Sequence, residues 1–119
     1  MAAVIALCVS YALYCLFTHP GGPITTPDSA HYLSFSPIVP LGYPVFLSLV
    51  GARGAMIAQP LIYSAALAFL GRELIHATSR VWPAIVVLAG CMAVPQLTAF
   101  HASLLSESLF LSAIVLVLG

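Results

Sequence analysis

Apolar residues fill this chain in long uninterrupted runs, and polar residues gather in short stretches between them. The first run, Ala2 to Phe17, carries no charge. At about 16 residues it lies at the short end of what a membrane crossing requires. No basic leader precedes it, so a retained helical span over 2–18 is expected rather than a cleaved secretory peptide. From His19 to Pro40 the texture changes. His19-Pro20-Gly21-Gly22-Pro23 cannot continue a helix, and Pro27, Pro37 and Pro40 keep interrupting the chain. Irregular backbone is not tolerated where it faces hydrocarbon, which predicts an outer loop over 19–40 in water or among headgroups.

Leu41 to Val50 is apolar again, but about ten residues are too few to cross. Pro44 fits the first turn of a helix, so the pattern predicts an interfacial helix over 41–51, broken by Gly51-Ala52-Arg53-Gly54. Further spans are predicted over 55–71, 81–100 and 104–119. Short polar links separate them, one with Arg72, Glu73, His76 and Arg80, the other running from His101 to Ser108. The last run, from Leu109 to Gly119, falls short of a full crossing. The fold class expected is therefore all-α, with polytopic transmembrane helices: three spans plus a truncated fourth. Residues 1–119 would form a single membrane domain, the N-terminal part of a longer protein.

Composition sharpens the picture. Of 119 residues, 62% are apolar and 5% charged, against about 25% charged in an ordinary soluble domain. A chain this small cannot hide so much apolar surface inside itself, so lipid is the expected solvent. The formal net charge is zero, and nothing points to nucleic acid or to a polybasic contact with acidic lipid. Three arginines set the expected topology. With the N-terminus inside, Arg72 and Arg80 lie inside and Arg53 is the exception, while 19–40 and 101–108 lie outside. Cys8, Cys15 and Cys91 stand in apolar stretches with no metal-binding spacing, and read as small packing residues. A bulky Leu7 before Cys8 speaks against lipidation.

On this topology Asp28 and Glu107 are each the single carboxylate of an outer segment. A carboxylate at such a boundary loses hydration, which moves it toward a range useful for proton transfer. Asp28 is equally placed to cap a short helix in Pro27-Asp28-Ser29-Ala30, and Glu107 to complement the dipole of the last helix. Other combinations are weaker. His19, Asp28 and His31 match no standard metal spacing. Glu73-x-x-His76 is half of a di-iron helix motif with no second copy. Asp28, His31 and Ser34 lack a nucleophile elbow. The residues by themselves define no metal site and no cofactor.

The order of several short motifs carries more weight than any one of them. Pro27-Asp28-Ser29-Ala30-His31-Tyr32-Leu33 is followed by Leu41-Gly42-Tyr43-Pro44-Val45-Phe46 and by Gln59-Pro60. Pro95 then precedes Ser103-Leu104-Leu105-Ser106-Glu107-Ser108-Leu109-Phe110. Over nearly its whole length the chain resembles the N-terminal part of the polytopic GT-C glycosyltransferases, of the protein mannosyltransferase and aminoarabinose transferase type. That resemblance implies transfer of a sugar from a polyprenyl-phosphate donor, a membrane lipid, to an acceptor at the outer face of a bacterial inner membrane. Asp28 matches the family's loop carboxylate, the general base on the acceptor hydroxyl. The resemblance also gives His31 and Tyr32 a role in orienting donor phosphate or acceptor, and Glu107 a positioning role near the same cavity. The loop carries one acidic residue where many relatives carry two, so a divalent metal is not fixed by its residues. Arg53 is the single outer-side cation, and the isolated chain is expected to be inactive. The rival expectation is a small non-enzymatic membrane protein whose outer loop contacts an assembly partner. A transporter fragment is disfavoured, because no ionisable residue falls at the middle of a span.

Overall fold

The computed structural model describes residues 1–18, 22–27, 29–34, 36–37, 41–103 and 106–119, without the side chain of Thr98. These residues are helical almost throughout: α1 Ala2–Thr18, α2 Ser29–Leu33, α3 Gly42–Thr78, α4 Val81–Met92, α5 Gln96–Ala102 and α6 Glu107–Leu118. No strand occurs among the described residues, and the one β-type contact is an isolated parallel bridge between Ile24 and Ser103. The chain is all-α.

Helix α3 is the mast on which the others hang. Its first segment and its long segment meet at Gly51, whose φ of 72° and ψ of 167° are non-helical. That combination is open in practice only to glycine, so Gly51 forms an elbow without an intervening loop. The helix then runs straight through Arg53 and Gly54, which the sequence marks as a breaker. It also continues past residue 71 to Thr78, through the stretch read as a polar link. Arg72, Glu73, Leu74 and Ile75 are compatible with helix, so charge there marks a change of surroundings and not the end of the helix. Helix α3 stops at Ser79, which takes left-handed φ and ψ of 55° and 18° and donates its N–H to Ile75 O.

Side-chain neighbours give the directions. A Cβ placed on Gly71 would meet Val4 Cγ1 at 2.7 Å and Leu88 Cδ1 at 2.9 Å. Further along, Tyr11 lies 6.0 Å from Tyr63 between ring centroids. Helix α1 is therefore antiparallel to α3, its first turn beside Gly71. Residues Val4, Cys8, Tyr11, Ala12 and Cys15 are its buried face, spaced as one helical stripe, and both cysteines are free. The outward stripe Ile5, Val9 and Leu13 is about half exposed and just as apolar.

The run 81–100, read as a single span, is divided. Helix α4 ends at Met92, and the chain turns through Ala93, Val94 and Pro95 before α5. Proline at 95 has no N–H to donate back to Cys91, which favours a break there, although α3 carries Pro60 without one. Helix α6 returns parallel to α3: Leu109 packs near Ala55, while Gly119 reaches Phe69 and Leu70.

Among the described residues one helix, α3, is long and apolar enough to cross a membrane; Ala2–Thr18, Val81–Met92 and Glu107–Leu118 are apolar but shorter. Only 22% of the most apolar part of α3 is buried against the rest of the chain. The core helix of a soluble domain would be mostly covered.

Candidate functional site

The site is built around the place where α5 ends inside the protein. The last carbonyls of any helix lack intrahelical partners and must be satisfied from elsewhere. Here each has a named donor. Ala99 O accepts from the Ser103 hydroxyl at 2.5 Å, and Phe100 O accepts from Ser103 N–H at 3.2 Å. Ala102 O accepts from Ile24 N–H, 2.8 Å away in the segment between α1 and α2. With its amide orientation assigned from its neighbours, two carbonyls and one hydroxyl, Gln59 on α3 donates to His101 O at 2.7 Å and to Ser103 O at 3.2 Å. Its oxygen in turn accepts from the Tyr43 hydroxyl at 2.6 Å, so a fully buried amide is satisfied on both sides.

Tyr43 carries the connection outward. Its ring meets Tyr32 edge to face at 4.9 Å and stacks on Phe46 at 5.9 Å. The Tyr32 hydroxyl lies 3.0 Å from the hydroxyl of Ser106, the residue before Glu107. Tyr32, Tyr43, Leu47 and Ala55 form a small core, with Ala52 and Leu109 against it. Ahead of α2 the loop is tightened by Thr26 N–H donating to Ser29 Oγ at 2.9 Å and Ser29 N–H donating to Thr26 O at 3.0 Å.

His101 is 1% exposed. Its Nδ1 is 2.6 Å from the Ser108 hydroxyl, and its ring lies 4.9 Å from Tyr63 and 6.1 Å from Tyr11. His101 is thus a buried hydrogen-bonding residue that ties α5 to the first turn of α6.

The residues singled out in the sequence take different places. Asp28, and His19 with it, lies outside the described residues. Tyr32 is buried and hydrogen-bonded as above. His31 is exposed on α2, and Glu107 is exposed at the first position of α6; neither side chain holds a hydrogen bond or ion pair among the described residues. Arg53 is exposed at the outer end of α3. Glu73 pairs with its neighbour Arg72 at 3.0 Å, and no group of three or more His, Cys, Asp or Glu is gathered among the described residues. The arrangement is a rim of exposed polar groups over a floor of buried, mutually bonded aromatic and polar ones.

Sequence reasoning gave no role to Gln59, His101 or Ser108, although Gln59 and Ser108 lie within the motifs quoted for the resemblance. Gln59 did carry a signal, being an uncharged amide inside an apolar run, a placement that demands partners. His101 and Ser108 carried none, since a polar link at a helix boundary is expected to be wet. No protein-family model, curated protein or solved structure matches the chain.

Proposed function

We propose that the chain is the N-terminal portion of an integral membrane glycosyltransferase of the GT-C type. It would move a sugar from a polyprenyl-phosphate donor to an acceptor at the outer membrane face, with Asp28 as general base. The observation that carries this reading is convergence. The four motifs behind the resemblance are far apart in sequence, yet a residue of each meets the others in one hydrogen-bonded and stacked chain: Tyr32, Tyr43, Gln59 and Ser106. A general base needs such a setting, held in place and partly withdrawn from water. His31, Tyr32 and Glu107 are the proposed substrate-side residues around it.

Membrane insertion supports the same reading. The long apolar α3 and the apolar outward faces of α1 and α6 make α1, α3, the α4–α5 pair and α6 the proposed crossing elements, in a bacterial inner membrane with the N-terminus inside. Val4 and Arg72 lie at one end of α3 and the Tyr32–Ser106 contact at the other, an arrangement that supports the proposed topology. The proposed partners are membrane lipid and the lipid-linked sugar.

The test is transfer from a polyprenyl-phosphate sugar in membranes carrying the whole reading frame. Asp28→Asn is expected to abolish transfer while insertion is unchanged. Full activity in the inserted variant would remove this reading and leave the assembly-protein alternative, in which changes on the apolar faces, not at Asp28, disrupt function.

A further inference from the structure

The way α5 ends has a consequence for the outer loop. Five carbonyls at and just past its C-terminus need donors, and two of them, His101 O and Ser103 O, take theirs from one side chain, Gln59. The carbonyl between them, Ala102 O, is left to the backbone of Ile24. Gln59 therefore decides which carbonyl faces the loop. Through its oxygen it also holds the Tyr43 hydroxyl, and Tyr43 supports the Tyr32 ring at the loop's far end. Among the described residues, the loop's contacts at Ile24 and at Tyr32 both lead back to this amide. No other side-chain donor among the described residues reaches His101 O or Ser103 O.

We propose that Gln59 is a positioning residue that docks the outer loop onto the α5–α6 hairpin from inside the helix bundle. Ile24 is then held against the end of α5 and Tyr32 against the start of α6. The term positioning rests on the transferase reading above. The docking itself does not.

Hydrogen exchange at the Ile24 amide reports the docking directly, because that N–H is bonded to Ala102 O. It would be measured on the membrane-inserted chain in detergent, with far-UV circular dichroism as the check on helix content. Gln59→Met keeps the volume and removes both donor and acceptor. Ile24 exchange is then expected to speed up by about tenfold or more, the order of effect of one or two buried hydrogen bonds. Gln59→Glu, neutral when buried, can still accept from Tyr43 and donate to His101 O, and is expected to restore at least half of the lost protection on a logarithmic scale. Tyr43→Phe removes only the outer hydroxyl and should give a smaller increase. Unchanged Ile24 exchange in Gln59→Met overturns the proposal, as does a Glu variant no better than Met. If the Met variant loses its helices, Tyr43→Phe decides: unchanged exchange there overturns the proposal as well. Exchange is read without substrate, so its outcome is separate from that of Asp28→Asn.

Discussion

The hydroxyl of Tyr32 stands 3.0 Å from that of Ser106, 74 residues further along the chain. One lies on the short helix α2 and the other at the N-cap position of α6. Their contact closes a circuit that runs through Tyr43 and Gln59 to the end of α5, so α2, the elbow helix α3, α5 and α6 are joined by one set of contacts. Tyr32→Phe removes the hydroxyl and keeps the ring against Tyr43. It is expected to cost about 1 kcal/mol and to raise exchange at the amides of α2 before those of α3. Equal loosening of α2 and α3 would show that the contact is not local to the loop.

Gly51 is a second point of leverage. A Cβ there would meet nothing within 4 Å, so space is not the issue. The positive φ is. Gly51→Ala is expected to cost about 1–3 kcal/mol, seen as a lower midpoint on unfolding in detergent. An unchanged midpoint would mean that the elbow does not need its left-handed residue.

At Gly71 the argument reverses. Its φ is ordinary, but an added methyl would fall within 3.0 Å of both Val4 and Leu88. Gly71→Ala therefore forces α1 and α4 away from α3 and is expected to cost about 1–3 kcal/mol through overpacking. A companion Val4→Ala change should return part of that loss. Additive effects in the double variant would contradict the close approach.

Ser79 ends α3 in a left-handed conformation that a side chain disfavours. It is exposed and donates only its backbone N–H to Ile75 O. Ser79→Gly is expected to stabilise the protein by about 1 kcal/mol, read as a raised unfolding midpoint. A drop would mean that the serine side chain contributes more than its backbone strain costs.

Much of the helical layout was legible in the chain. Uninterrupted apolar runs, with Pro and Gly between them, are local signals that act on the residues that carry them. They located α1, the turn at Gly51 and the start of the last helix near Glu107. Local reading went astray where hydropathy and helicity part company. Charge at Arg72 and Glu73 marks a boundary of surroundings, yet such residues favour helix, and α3 runs on to Thr78. Pro95 sits within an apolar run, yet 81–100 is divided beside it into two helices.

The sequence by itself determined that this protein is helical, largely apolar, and furnished with a Pro- and Gly-rich segment that cannot be helix throughout. Backbone geometry and the preference of apolar side chains for a non-aqueous setting dictate that much. Only the tertiary structure decided that α5 ends buried. Its orphan carbonyls then had to find donors, and no residue near them in sequence could supply enough. They came from Ile24 and Gln59, tens of residues away. A hydrogen bond between distant segments depends on where two helices lie relative to one another, which no local pattern encodes.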